Sequence, residues 1–181
     1  LTDGEWLLLA RTTRGAQQIE EEVRSRGHLY VYNNSRSIDK KTIDAVRLWE
    51  KLLQGDRVTA EEVRLVMRKF ASKLGLADKL DRIYPMQGLG KISAKDKQYL
   101  KACLRKGESL TKEPRIRIST IHSSKGAQAD NVMLLTDTMR RPYSMWRKDD
   151  HFAEDEARVF YVGLTRAKNN LHLIHPMFSQ G

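Results

Sequence analysis

A loop rich in hydroxyl groups carries the first residues that could do chemistry. Residues 119–126 read STIHSSKG and follow an alternating apolar run, RIRIS, that is typical of a strand. The side chains that could bind an anion there are Thr120, His122, Ser123, Ser124 and Lys125, and Gly126 tolerates a positive φ angle. Such a set at the end of a strand suits a phosphate group. An ordinary turn with a satisfied histidine explains the same residues. The complete phosphate-loop pattern GxxxxGKS/T occurs nowhere in the chain.

Two arginines are further candidates for anion binding. Arg166 falls near the end of a predicted helix, on a side that also carries Val159 and Val162. A partly buried guanidinium requires an anion, which could be a ligand or an internal carboxylate, unless the side chain reaches the surface. Arg11 ends the first predicted strand, just before a helix N-terminus, where anions are favoured. An arginine that caps the edge of the sheet explains Arg11 equally well.

The elements that would position these residues alternate between strand and helix. EWLLLAR, residues 5–11, is an unbroken apolar run that predicts a strand buried on both faces. A helix over 15–26, capped by Thr12 or Thr13 and ended by Gly27, and a strand over 28–33 follow it. After residue 114 the pattern predicts strands at 115–121 and 131–137, a helix at 153–168 and a strand at 170–175. The predicted fold class is α/β with a mostly parallel sheet.

Between these two blocks the chain shows helical patterns only. Thr59 and Glu62 have the spacing of a capping box, and Ser93 is placed to cap a third helix. We therefore predict a small all-helical insertion over residues 37–113 between the two α/β blocks.

The overall composition points to a polyanionic partner. The chain of 181 residues has a formal net charge of +10, which favours nucleic acid, although a solvated lysine-rich surface gives the same excess. Trp146, in a basic loop that also contains Tyr143 and Arg147, is the best candidate for stacking on a base. Cys103 is the single cysteine, and no apolar stretch is long enough to cross a membrane. Because the chain starts at Leu1, we expect a piece of a longer protein.

Three stretches together resemble the superfamily 1A DNA helicases of the UvrD/Rep/PcrA type. ISTIHSSKGAQADNVMLL (118–135) resembles motif V of that family, and EDEARVFYVGLTRAKNNLHL (154–173) resembles motif VI. LLLARTTRGAQQIEEEVRSRG (7–27) resembles motif IV. The resemblance implies a three-layer RecA-like domain, the second of two in such helicases, called 2A. It would comprise residues 1–36 and 114–181, with a reduced 2B-like subdomain at 37–113.

The resemblance also implies roles for single residues. Arg166 matches the arginine finger, which stabilises the γ-phosphate during hydrolysis, and Arg11 matches a second γ-phosphate contact. Gln128 stands where the family has a glutamate that contacts the nucleotide sugar. Thr120 and His122 match contacts with the single-strand backbone. The same DNA-binding loop includes Ser123, Lys125 and Gly126.

The implied function is that of the C-terminal motor domain of an ATP-dependent DNA helicase or translocase. Its partners would be single-stranded or duplex DNA and an N-terminal RecA-like domain of the same polypeptide, which would supply the phosphate loop and hold Mg²⁺. The chain alone would then be inactive towards ATP, and the whole protein would work in the cytoplasm of a bacterial or phage-infected cell. The alternative is a helicase-derived module that binds nucleic acid or a partner protein without hydrolysing ATP.

Overall fold

One six-stranded sheet organises the protein. The computed structural model describes residues 3–57, 59, 61–62, 92–110, 112–136 and 150–175. The strands are β1 Trp6–Ala10, β2 Tyr30–Tyr32, β3 Ser35–Arg36, β4 Ile116–Thr120, β5 Ala129–Leu135 and β6 Ala167–Ile174. They lie in the order β3-β2-β4-β1-β5-β6, and every neighbouring pair is parallel except β2 with β3. The prediction of a mostly parallel sheet is confirmed.

Helices cover both faces of this sheet. Among the described residues the α-helices are α1 Thr13–Ser25, α2 Lys40–Leu53, α3 Ala94–Arg105 and α4 Asp150–Leu164. The first three contribute to one buried cluster with alternate residues of β1 and β4. The fourth packs against a second cluster formed by the opposite faces of β1 and β5. The result is the three-layer, RecA-like α/β arrangement expected from the sequence.

Strand β1 lies at the centre of this arrangement. All five of its residues are buried, because parallel neighbours flank it on both edges and helices cover both faces. Trp6, Leu8 and Ala10 belong to the cluster with α1, whereas Leu7 and Leu9 face α4. The unbroken apolar run is therefore divided between two cores.

The capping signals of the sequence are satisfied by hydrogen bonds. The Thr12 hydroxyl accepts from the Gly15 N–H at 3.0 Å, and Ser93 accepts from Asp96 at 3.1 Å. Thr59 and Glu62 exchange the two reciprocal bonds of a capping box, at 2.7 and 3.3 Å. The rest of the helix predicted after Glu62 lies outside the described residues.

Most element boundaries differ by one to four residues from the predictions, and the differences at β2, α4 and β6 bear on the site. The strand expected over 28–33 ends at Tyr32, because Asn33 and Asn34 adopt φ angles of 48° and 59° and turn the chain back into β3. The helix expected over 153–168 ends at Leu164, so Arg166 lies in the turn after the helix. Strand β6 starts at Ala167 rather than at residue 170.

Helices α2 and α3 belong to the main body of the protein. Ile43 and Val46 of α2 and Leu100 of α3 lie in the same buried cluster as β1 and α1. The Tyr99 hydroxyl donates to the carbonyl of His28 at 2.5 Å, which ties α3 to the segment before β2. Within the described ranges these helices form no core of their own. The division of the chain at residues 36 and 114 remains a prediction.

Gly27 is the position where a side chain would do most damage at a helix end. It follows α1 with φ +70°, and a Cβ there would lie 2.8 Å from the backbone carbon of Ala102 in α3. Gly107 follows α3 with φ +74°, but no atom lies within 4 Å of its would-be Cβ. Gly107→Ala should therefore lose only about 1 kcal/mol of unfolding free energy, which is the cost of placing an alanine in the left-handed backbone conformation. Gly27→Ala should lose about 2 kcal/mol of unfolding free energy, because the α1–α3 contact must also open.

Urea unfolding of the two variants measures this difference directly. Since the backbone angles match, the gap between Gly27→Ala and Gly107→Ala isolates the contact with Ala102. Equal losses in the two variants would mean that α3 does not pack tightly on the end of α1.

Candidate functional site

The anion-binding loop predicted from the sequence lies at the carboxyl end of β4. A short 3₁₀ helix, His122–Ser124, follows the strand after one residue, Ile121. The Thr120 hydroxyl accepts from the Ser123 N–H at 3.2 Å and lies 3.0 Å from the Ser123 hydroxyl. The buried Ser124 hydroxyl donates to the carbonyl of Ile121 at 2.7 Å. Thr120 and Ser124 thus brace the loop, and Thr120 is already engaged by its own turn.

The exposed side chains of the loop are available to a ligand. His122 and Lys125 are exposed, and neither has a hydrogen-bond or ion-pair partner among the described residues. Gly126 adopts φ +79°, with no atom within 4 Å of a would-be Cβ, so the positive φ predicted from the sequence is confirmed. A positive charge and an imidazole are therefore presented to solvent at the carboxyl edge of the sheet, where α/β proteins commonly bind ligands.

The second half of the loop returns to the opposite, amino edge of the sheet. There Ala127 and Gln128 lead into β5, and the Ala129 N–H donates to the carbonyl of Arg166 at 3.1 Å. The Gln128 side chain is exposed, and its backbone carbonyl accepts from Arg117 at 2.7 Å. Gln128 and Arg166, which the sequence assigned to the same ligand, are brought together at this edge.

Arg166 is held by backbone carbonyls. Its Nε donates to the carbonyl of Val162 at 2.9 Å, at the end of α4, and its Nη1 donates to that of Ala127 at 3.4 Å. A cation at a helix C-terminus is stabilised by the helix dipole. No carboxylate in the described part of the chain pairs with Arg166, so the internal salt bridge considered from the sequence is not found there. A guanidinium has five N–H donors, and those not used by these carbonyls remain for an anion.

Arg11 has a different partner, which the sequence did not reveal. Its Nε lies 2.9 Å from Oε2 of Glu156, and its Nη2 lies 2.5 Å from Oε1, in a bidentate ion pair. Glu156 is 3% exposed. The hydrogen bonds that Arg11 donates to Glu156 raise the pKa of Arg11 above its ordinary value, and burial acts in the opposite direction. The available signal was helical spacing, since Glu156 lies three and seven residues before the inward-facing Val159 and Gly163.

The resemblance assigns Arg11 to the same γ-phosphate as Arg166, and that shared contact remains a prediction. Arg11 follows the carboxyl end of β1, and Arg166 precedes the amino end of β6, which runs parallel to β1. Both β1 and β6 pair with β5, and these pairings give the separation of the two backbones. Along the strand direction, Arg11 and Arg166 are roughly eight residues apart, or about 25 Å. In this structure the two guanidinium groups have separate partners, Glu156 for Arg11 and the carbonyls of Val162 and Ala127 for Arg166, and Arg11 lies at the loop's edge of the sheet.

The remaining candidates from the sequence are an aromatic side chain, the cysteine, metal ligands and membrane-spanning helices. Trp146 lies outside the described residues. Cys103 is buried, and burial raises the pKa of its thiol to about 11, so it is no nucleophile at neutral pH. Within the described ranges there is no group of three or more acidic, histidine or cysteine side chains that could hold a metal ion. The helices in those ranges are too short or too polar to cross a bilayer.

Comparison with known proteins bears on the family to which the chain belongs. No curated protein matches the chain significantly. A family model described as the UvrD-like helicase C-terminal domain matches residues 78–176, which is more than half of the chain. That range contains the anion-binding loop, Gln128 and Arg166. The chain belongs to the family of UvrD-like helicase C-terminal domains.

Proposed function

We propose that this chain is the C-terminal motor domain of an ATP-dependent DNA helicase or translocase. In this proposal Arg166 and Gln128, at the amino edge of the sheet, face ATP. The loop of residues 120–126, which begins at the carboxyl edge, binds the backbone of a single DNA strand. Such a motor would act in the cytoplasm of a bacterial or phage-infected cell.

The observation that carries the ATP half of the proposal is the environment of Arg166. Its guanidinium is oriented by two backbone carbonyls, lacks a carboxylate partner among the described residues, and lies beside the exposed Gln128. An arginine held in this way can stabilise charge that develops on a phosphoryl group. Gln128 could donate to a sugar hydroxyl, although without the charge of the glutamate usual at this position.

These residues would form only one side of an ATP site. The chain contains no phosphate-loop pattern, so an N-terminal RecA-like domain of the same polypeptide would supply that loop and would hold Mg²⁺. ATP would bind between the two domains, and closing and opening around it would move the protein along DNA. The reduced 2B-like part of residues 37–113 would then be the stretch between α2 and α3, since both helices belong to the main core.

The DNA half of the proposal is supported by charge and by the connection between the two edges. The exposed His122 and Lys125 suit a phosphate backbone, and the whole chain carries a net charge of +10. Helix α4 packs against β5 and ends next to Arg166, while Glu156 within it is bonded to Arg11 at the carboxyl edge. A shift of α4 at the nucleotide edge would therefore be transmitted to the loop's edge.

The half-site argument leads to a simple expectation for hydrolysis. The purified 181-residue chain should show negligible ATPase activity with or without single-stranded DNA, because it lacks the phosphate loop. A polypeptide that joins it to its N-terminal motor domain should hydrolyse ATP in a DNA-stimulated manner. Phosphate release from both proteins, measured side by side, tests the proposal, and robust turnover by the isolated chain would contradict it.

The same comparison distinguishes the second candidate function. A nucleic-acid-binding or partner-docking module without ATPase activity would bind DNA equally well in both polypeptides and hydrolyse ATP in neither. DNA binding without turnover by the longer polypeptide, in the presence of Mg²⁺, would favour that module over the motor.

A further inference from the structure

A small cavity lies between the anion-binding loop and α4, where no site has been assigned. It has a volume of about 210 Å³ and is lined by Ile121, His122, Lys125, Arg158, Val159 and Val162. The loop contributes the first three of these residues, and α4 contributes the others. The two elements are held in place by the second core cluster, to which Ile121, Val159 and Val162 belong.

The lining combines an apolar floor with a basic rim. Ile121, Val159 and Val162 supply only hydrocarbon. His122 and Lys125 are without partners in the described part of the chain, and Arg158 is bonded to Glu154 and Asp155 one turn earlier in its own helix. All three of those side chains are more than 60% exposed, and ion pairs as exposed as these contribute little. Because these ion pairs are weak, Arg158 could exchange its carboxylate partners for another anion at low cost.

We propose that this pocket binds one nucleotide unit of the DNA strand held by the loop. Lys125 and Arg158 contact its phosphate, and Val159 and Val162 pack against its deoxyribose. The inference rests on the proposed function and extends it, because it makes α4 a DNA-binding element. The charge of the rim selects this occupant, because an apolar peptide segment would leave Lys125 without an anion. A nucleotide offers hydrocarbon to the floor of the pocket and a phosphate to its rim.

The position of Arg158 gives the pocket a role in coupling the two ligands. Arg158 precedes Leu164, the last residue of α4, by six residues, which is about 9 Å along the helix axis, and Arg166 lies two residues further on, in the turn after the helix. One rigid helix would thus contact DNA near its middle and orient the arginine beside ATP at its end. Occupation of the pocket by DNA would bias the position of Arg166 without any further moving part.

The test is the salt dependence of DNA binding by the full-length polypeptide, with fluorescent oligodeoxythymidylate as the probe. Each phosphate contact to a single strand contributes about 0.7 to the slope of log K against log salt. Arg158→Gln should lower the magnitude of that slope by about 0.7, and Arg158→Lys should retain it. Arg105→Gln is the matched control, because Arg105 is also an exposed helical arginine but lies in α3, outside the cavity.

The outcomes separate this inference from the proposed function. If the wild-type protein binds the oligonucleotide but Arg158→Gln keeps the wild-type slope, the pocket assignment is wrong and the proposed function survives. If Arg158→Gln and Arg105→Gln lower the slope equally, the effect is one of net charge and the pocket is again rejected. If the wild-type protein shows no salt-dependent binding, both proposals fail. Thermal unfolding of each variant checks that the fold is intact.

Discussion

Replacement of Arg166 by alanine is expected to lower kcat for ATP hydrolysis by about 10³- to 10⁵-fold in the full-length polypeptide, the range for arginine fingers in related systems. The dissociation constant for ATP should change by less than about tenfold, because the finger acts mainly on charge that develops during phosphoryl transfer. Steady-state phosphate release gives the first quantity, and binding of a non-hydrolysable ATP analogue gives the second.

The structural effect of this substitution should be small. Arg166 is partly exposed, and the carbonyls of Val162 and Ala127 that it contacts can be hydrated once the side chain is removed. A loss of kcat can therefore be attributed to the missing guanidinium rather than to unfolding. Arg166→Lys should restore little activity, since a lysine cannot bind two carbonyls and an anion with one planar group.

Lys168→Ala is the matched control for the removal of a positive charge at this edge. Lys168 is exposed in β6, two residues after Arg166, and its side chain has no hydrogen-bond or ion-pair partner among the described residues. Its removal should leave kcat within a few-fold of wild type. If turnover of Arg166→Ala also stays within about threefold, less than ~1 kcal/mol of the barrier is involved and the finger assignment is wrong.

The sheet and its caps could be predicted because their signals are local. The apolar run of β1, the N-caps Thr12 and Ser93 and the terminating Gly27 each act within a few residues of their own position. Strand β3 escaped prediction because a two-residue strand is too short to show alternation. The pattern of residues 28–33 predicts only that a strand ends at Asn33. It does not show that Asn33 and Asn34 form a turn leading into β3.

The end of α4 could not be predicted from helical signals. Neither Thr165 nor Arg166 stops a helix, and no glycine or proline follows them in the next turn. The chain leaves the helix because the carbonyl of Arg166 accepts from the N–H of Ala129, which starts the pairing of β6 with β5. A tertiary contact across 37 residues of sequence decides the boundary, and with it the position of the candidate finger.

The grouping of site residues was predicted in part for a similar reason. The resemblance to helicase motifs V and VI places Gln128 and Arg166 in one site, and the structure brings them together at the amino edge. A motif does not reveal which edge of a sheet a residue occupies, because that depends on strand direction. The resemblance also groups Arg11 with Arg166, whereas the parallel registers place the two backbones at opposite edges, and their shared phosphate remains a prediction.

The bond between Arg11 and Glu156 should matter for stability more than for chemistry. Glu156→Ala is expected to lower the unfolding free energy by about 3 kcal/mol, near the lower end for breaking a buried ion pair, because the Arg11 side chain is 23% exposed. For a domain of this length the melting temperature should fall by roughly 6–12 °C. Stability falls because the Arg11 guanidinium at the end of β1 loses its carboxylate partner. The ion pair that joins β1 to α4 is lost at the same time. Urea unfolding monitored by circular dichroism measures the loss.

The controls are the substitution of one neighbouring carboxylate and a double-mutant cycle. Glu154→Ala removes an exposed carboxylate from the same helix and should change stability by less than about 1 kcal/mol. Combining Glu156→Ala with Arg11→Ala should cost much less than the sum of the two single losses, because either change alone already breaks the pair. Folded Arg11→Ala protein, at a temperature where it remains stable, should keep kcat within about tenfold of wild type. A fall in kcat as large as that of Arg166→Ala, with an additive cycle, would contradict the structural role and support the γ-phosphate contact that the resemblance implies for Arg11.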